Sequence, residues 1–301
     1  MTDVAVPNAA EDTPRPGSPG RDGSAPGYDP RRTLPLRVEA VRQFRRRRTL
    51  VTFGILLVLP WILVLAFKLG GDPGPDNNAP GLVDVATTSA LNFALFALFV
   101  SSGFLLVVAV ALFCGDTVAS EAGWSSLRYL LAAPVPRVRL LRQKFAIALS
   151  YATAAVITLP AMSLLAGTVA FGWGPVTLLT GRTLATAPAL NRMALIVAYA
   201  LISQLVVAAL AFLLSVTTDS PLGAVGGAVG LVIVSNILDA VTALGSWRDF
   251  LPTHWMYAWM DVLQPDIVWT GMAKGASLSL TYALIFLALA VRRFRTRDIT
   301  S

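Results

Sequence analysis

Residues 115–144, GDTVASEAGWSSLRYLLAAPVPRVRLLRQK, decide how this chain is read. They form a long polar break between two apolar segments of membrane length and hold five basic residues: Arg128, Arg137, Arg139, Arg142 and Lys144. Val118, Ala122, Trp124, Leu127, Leu130 and Leu131 recur at the three- and four-residue spacing that puts apolar groups on one side of a helix. Glu121, Ser125 and Arg128 repeat with the same period as a polar stripe. Pro134 and Pro136 then stop the helix, because each lacks an amide donor and restricts the residue before it. The spacing predicts an amphipathic helix over 117–131, lying at a membrane surface with one face open to a partner.

Composition sets the class. A soluble domain carries about 25% charged residues. Here the figure is 14%, with 55% hydrophobic residues over 301 positions and a mean hydropathy of +0.66. Runs of roughly 20 apolar residues recur, each long enough to cross a bilayer at about 1.5 Å per residue. The expected fold is all-α: a polytopic membrane protein of six transmembrane helices. The net charge of +7 does not imply nucleic acid, since the basic residues cluster beside apolar spans, as topology requires. The first apolar run begins some 50 residues in and is longer than a signal-peptide core, so no cleavable signal is expected.

Residues 1–34, rich in Pro, Gly, Asp and Ser, read as a disordered tail. One membrane domain over 35–301 follows. Its first part, 35–49, reads as an interfacial helix with an apolar edge of Val38, Val41 and Phe44. Arg45–Arg48 there read as a topogenic anchor that meets anionic headgroups. The spans fall at about 50–69, 89–114, 145–170, 193–216, 222–243 and 273–291. Fifteen Lys and Arg residues lie on the side that carries 35–49, 115–144 and the C-terminus. Only Arg182, Arg192, Arg248 and Lys274 lie on the other, or five residues with Lys68. The positive-inside rule therefore puts both termini and the 115–144 loop in the cytoplasm of a cell (plasma) membrane protein. The 244–272 loop, with Trp247, Trp255, Trp259 and Trp269, falls outside, where indoles favour the headgroup zone. Pro252 and Pro265 divide it into short helices.

Chemistry-bearing patterns are sparse. The sequence has no P-loop, no H-E-x-x-H, no C-x-x-C and no G-x-S-x-G, with one cysteine (Cys114) and one histidine (His254). No catalytic residue, cofactor or metal site is expected on this chain. Asp239, with Ser235 and Asn236, sits near the outer end of the fifth span. An ionisable group there reads first as interfacial packing and second as part of a substrate path. Gln204 and Ser203, mid-way along the fourth span, read as interhelical hydrogen bonders, with substrate contact the second reading. Gly223-x-x-x-Gly227 and Gly226-x-x-x-Gly230 overlap as helix-packing motifs, within one bundle or between subunits.

Taken in order, Asp116-Thr-Val-Ala-Ser-Glu121, Trp124-Ser-Ser-Leu-Arg128-Tyr-Leu-Leu131, Pro134-Val-Pro136-Arg137 and Leu140-Leu-Arg-Gln-Lys144 resemble the cytoplasmic loop of type-2, export-class ABC-transporter permeases. Phe294-Arg-Thr-Arg-Asp298-Ile299 resembles that family's ending, and the six-span plan matches over 36–301. The chain departs from the pattern where Ser125-Ser126 replaces Gly-Thr and where Gly123-Trp124 alters the helix start. The resemblance implies a homodimer or heterodimer of permeases in the lipid bilayer, docking separate cytoplasmic ABC ATPase subunits that hold ATP and Mg. It makes 117–131 the coupling helix, with Glu121, Trp124, Leu127, Arg128 and Arg137 as coupling residues. Two other classes stand beside this one. A secondary transporter would show inverted repeats and intramembrane charge; a non-transporting membrane assembly factor would show no ATPase partner.

Overall fold

The computed structural model describes residues 36–70, 82–123, 137–178, 181–264 and 266–296. The tail 1–34, Trp124, Leu127 and Arg128 lie outside the described residues, and of Arg137 only the backbone is described. The chain is mostly helical. A short α1 (Leu36–Phe44) turns at Arg45–Arg46 into α2 (Arg47–Leu69). Then come α3 (Leu82–Ala86), α4 (Ala90–Ser102), α5 (Leu105–Gly123) and α6 (Arg137–Phe171). A two-residue hairpin of β1 (Val176–Thr177) and β2 (Thr183–Leu184) pairs Val176 with Leu184. After it run α7 (Thr186–Thr217), α8 (Pro221–Ala240), two 3-10 segments (Thr242–Phe250 and Ala258–Leu263) and α9 (Thr270–Thr296).

Among the described residues, five helices are long and apolar enough to span a membrane: α2, α6, α7, α8 and α9. A sixth span exists if α4 and the first part of α5, bent by 58° relative to each other, count as one. α7 is the axis of the bundle, with 61% of its most apolar window buried against α9 and α5. Ala200, Ala208, Ala209 and Ala211 let those helices approach it closely, and Phe212 fills the space beside Phe145. The peripheral helices differ: only 17% of the corresponding window is buried in α2, and 22% in α8 and in α9. Ile55, Leu65, Leu222, Ile237 and Leu284 stand exposed on them. Water would not tolerate an apolar surface of that extent, whereas hydrocarbon covers it at no cost.

Several element boundaries differ from the sequence expectation. The helix expected over 35–49 ends at Phe44, and α2 already begins at Arg47. Thr49 Oγ1 donates to the Gln43 carbonyl at 2.8 Å and closes the turn between them. The second span does not stop at Cys114, because α5 continues unbroken to Gly123. Residues 117–123 are therefore the end of a span helix rather than the start of a separate surface helix. The third span begins at Arg137, so its basic residues are inside the helix.

The bend between α4 and α5 has an identifiable cause. Ser102 and Gly103 sit at it, and Ser102 Oγ donates back to the Leu98 carbonyl at 2.5 Å, a pattern that bends helices. The freed Ser102 carbonyl accepts from Gln204 Nε2 of α7 at 3.4 Å, so the amide expected to bond between helices does so. Ser203 instead donates to Ala200 O in its own helix. α8 starts at Pro221, close to the expected 222, and is capped locally: Ser220 Oγ accepts from the Gly223 amide, with Pro221 in the first turn.

The glycines sort by what a side chain would meet. A Cβ on Gly167 of α6 would lie 2.9 Å from the Ala90 Cα and 3.1 Å from Phe93, so α4 and α6 touch at backbone distance. In α8, a Cβ on Gly227 would meet Leu214 at 3.1 Å, and one on Gly223 would meet Ser220 at 3.4 Å, whereas Gly226 and Gly230 face open space. One of the two overlapping motifs thus packs within this chain. Gly167→Val is expected to destabilise the protein by about 1–3 kcal/mol through overpacking. Gly226→Ala should leave the thermal unfolding midpoint in detergent within about 1 °C, since nothing in the fold opposes the added methyl.

Candidate functional site

The end of α5 carries Asp116, Thr117, Ser120 and Glu121, all buried. Carboxylates enter such a site only with cations beside them. Those cations come from the turn and helices that sequence reading assigned to lipid headgroups. Arg46 Nη1 donates to Asp116 Oδ2 at 2.7 Å and to Ser120 Oγ at 3.3 Å, and Arg48 pairs with Asp116 Oδ1. The spacing explains the sharing: Asp116 and Ser120 are four apart and lie one above the other on α5.

Glu121, the next residue, turns toward a different pair. Lys144 Nζ, on α6, is 2.6 Å from Glu121 Oε1, and Arg42 of α1 pairs with the same oxygen. Glu39 of α1 completes the ring, 3.0 Å from Arg42 Nη2 and 3.4 Å from Lys144 Nζ. Three carboxylates thus face four cations drawn from α1, the turn, α2 and α6. Burial by itself would lower the Arg42 pKa, but Glu39 and Glu121 outweigh it and hold it above its ordinary value. Arg46 is held below its ordinary value by burial first and by Arg42 second. A hydrogen bond from Tyr151 Oη to the Ala40 carbonyl, 2.8 Å, fixes α1 onto α6. On the other side of α5, the amides of Val118 and Ala119 both donate to Ser215 Oγ of α7 at 3.0 Å. The chain leaves the described residues at Gly123, two positions after Glu121, and returns at Arg137, seven before Lys144. The ion cluster is therefore the root of the 124–136 segment.

This placement revises the reading of Arg45–Arg48. Arg46 and Arg48 are structural cations bound to Asp116. Two signals in the sequence pointed that way: Asp116 and Glu121 are acidic residues at the end of an apolar span on the strongly basic side, and four-residue spacing relates Arg42 to Arg46. Ser215 carried no such signal. Val38, Val41 and Phe44 are exposed along α1, as expected of an apolar edge facing lipid.

The second constellation lies at the far end of α8. Asp239 Oδ1 is bound by His254 Nδ1 and by Arg248 Nε at 3.3 Å. His254 Nε2 lies 3.4 Å from Asp249, which is itself 3.9 Å from Lys274. Ser235, one turn earlier on the same face, bonds to Thr253 Oγ1 at 2.8 Å. These contacts tie α8 to the 242–256 segment. Asn236 points away from them and is exposed, and Gln204 sits at the α4–α5 bend. Asp239 and Gln204 thus have separate sets of partners, and Asn236 belongs to neither. Among the described residues no cluster of metal-ligating side chains occurs.

The cluster at the end of α5 is the expected determinant of stability. Asp116→Asn removes a 2%-exposed carboxylate from between Arg46 and Arg48. It should cost about 1–3 kcal/mol, since two half-buried cations lose their charged partner. Arg182→Gln, at an exposed site, should cost less than about 0.5 kcal/mol. Thermal or denaturant unfolding of the purified protein in detergent measures both.

No curated protein matches the chain. Residues 78–300, about three quarters of its length, match the model of the family described as "Protein of unknown function (DUF2705)". That stretch takes in α3 to α9, including Asp116, Glu121, Lys144 and Ser215, and the chain belongs to this family.

Proposed function

We propose that the chain is the membrane-spanning permease subunit of an ATP-driven exporter, moved by a separate ATPase that docks from the cytoplasm on the 124–131 part of the 117–131 stretch. The observation that carries this reading is the ionic joint at the root of the 124–136 segment. α5 runs without a break from mid-bundle to Gly123, and Glu121 is locked to α6 and α1 just before that segment begins. A force applied to residues 124–136 would reach α5 and α6 together, and through Ser215 it would also reach the central α7. Rigid-body transmission needs this kind of connection, with no soft turn between lever and span. The basic end then faces the cytoplasm with both termini, in the plasma membrane, and ATP and Mg belong to the partner subunit. A second permease, identical or homologous, completes the unit, and the open Gly226–Gly230 face of α8 is available to it.

Glu121 has a positioning role in this reading and does not touch the motor. It is 3% exposed and bound to Lys144, so contact with the ATPase falls to Trp124, Leu127, Arg128 and Arg137. Asp239 pairs with Arg248 and His254 and acts as a clamp on the outer segment.

The intact protein, tagged and purified in mild detergent from its own cells, should carry a P-loop ATPase identified by mass spectrometry. Trp124→Ala with Arg128→Glu should remove at least nine tenths of that ATPase while the permease stays at its normal level. Retention of the ATPase by this variant, or its absence from the wild-type preparation, would refute the assignment. Asp239→Asn should leave transport within about twofold of wild type at equal protein level, as a residue outside the transport path requires.

A further inference from the structure

The four consecutive arginines between α1 and α2 do not share one environment. Arg46 and Arg48 turn inward to Asp116. Arg45 and Arg47 are exposed, and among the described residues no side chain pairs with either. The alternation starts at the turn, where the backbone of Arg46 is extended, with φ −68° and ψ 131°, so its side chain points opposite to its neighbours. The cluster beneath holds three carboxylates against four cations, so its own anions are already taken.

α1 is two-sided as well. Glu39 and the Ala40 carbonyl meet Lys144 and Tyr151 of α6. Val38, Val41 and Phe44 recur every third residue as an exposed stripe, and Arg37 is exposed with them. An apolar edge set among unpaired cations suits the boundary between hydrocarbon and headgroups better than it suits water. The depth of the arginines agrees. Leu50 and Val51 begin the exposed apolar surface of α2, and Arg47 precedes Leu50 by about 4.5 Å along the helix. The headgroup layer is roughly 5–7 Å thick on each side of a bilayer. Arg47 therefore falls within that layer, with Arg45 at the turn beside it.

We propose that Arg45 and Arg47 bind the phosphates of anionic glycerophospholipids, with Arg37 beside them and the Val38, Val41 and Phe44 edge seated in the headgroup layer, so that anionic lipid clamps α1 to the membrane. Charge complementarity selects the lipid class: a zwitterionic headgroup brings its own ammonium to the same arginines, and an anionic one does not. Continuity with α2 selects lipid over protein, because an acidic protein surface docked here would have to displace hydrocarbon from Leu50 and Val51. Each of the four arginines then has an anion, two from Asp116 and two from the bilayer. The inference rests on the membrane class of the chain and is independent of the exporter reading.

Hydrogen exchange read by mass spectrometry tests it on the full chain, purified alone and placed in nanodiscs of either phosphatidylcholine or phosphatidylglycerol. Amides of residues 36–46 should exchange roughly ten- to thirtyfold more slowly in phosphatidylglycerol, as two arginines at about fivefold each require. Amides of the central α7 should exchange equally in both. Arg45→Gln with Arg47→Gln should abolish the lipid difference over 36–46, and Arg45→Lys with Arg47→Lys should keep it, since the charge is retained. Inorganic phosphate added to phosphatidylcholine discs should not reproduce the protection. Equal exchange of 36–46 in the two lipids, a difference that survives in the double Gln variant, or protection by free phosphate alone would overturn the proposal. The comparison of the two lipids on wild-type protein needs no variant and decides the matter even if a variant misfolds.

Discussion

The end of α5 can be buried only because four cations reach it. Asp116 and Glu121 lie among helices where water cannot solvate them, and a lone carboxylate there would cost more than the fold could offset. Each is therefore held twice, Asp116 by Arg46 and Arg48, and Glu121 by Lys144 and Arg42. The consequence runs outward from that point. α1 must fold back across the bundle to deliver Arg42, and the chain must turn at Arg45–Arg46 to present Arg46 and Arg48 from one side. α6 must begin early enough to place Lys144 within 2.6 Å of Glu121. The early start of the third span, the break between α1 and α2 and the extension of α5 to Gly123 follow from one electrostatic requirement. Buried ion pairs contribute little net stability against apolar isosteres, but they penalise every arrangement that leaves a partner alone. Here that penalty fixes register.

The basic residues illustrate how far the sequence could be read. Their number on one side of the spans, and the apolar runs between them, sufficed to predict a helical membrane protein, because hydrocarbon length and positive-inside bias are one-dimensional properties. Which of those cations were anchors and which were partners depended on contacts some 70 to 80 residues apart, such as Arg46 with Asp116 and Arg42 with Glu121. A polar break in the hydropathy pattern was likewise read as the end of a helix. In fact Gly115–Gly123 stays helical, because its polar side chains are satisfied from neighbouring helices. The bend at Ser102–Gly103 was hidden for the converse reason: 89–114 is predominantly apolar, and the short Ser101-Ser102-Gly103 run does not lower its hydropathy enough to divide the span. The start of α8 fell within a residue of its expected place, because the Ser220–Pro221 cap that sets it is local.

The two ends of the bundle are built from different materials. At the α5 end, charge pairs join α1, α2, α5 and α6. At the other end the Asp239–Arg248–His254 cluster is joined by backbone and aromatic contacts: Gly172 O accepts from the Ala90 amide at 2.9 Å, and Phe93 packs between Phe67 and Phe171. There too Tyr199 Oη donates to the Trp255 carbonyl at 2.6 Å, and Arg192 to those of Val262 and Gln264. Such contacts tolerate small sliding, since an aromatic face offers a broad minimum, whereas an ion pair in a dry site does not.

Between those ends lies the 58° bend, and its construction decides what a stiff root can do. A straight α4–α5 rod would carry a tilt at Glu121 directly to Ala90. With the helix broken at Ser102–Gly103, the tilt can be taken up where a single 3.4 Å bond, Gln204 Nε2 to Ser102 O, bridges the break. A hydrogen bond of that length is weak, so packing sets the angle more than that bond does: the Tyr257 hydroxyl stands 2.6 Å from where a Cβ on Gly103 would be. Tyr257 also meets Phe99 of α4, with ring centroids 5.2 Å apart, so the segment that carries it packs beside the bend. The charged root, the bend and this aromatic contact are joined through the bundle by contacts within the chain.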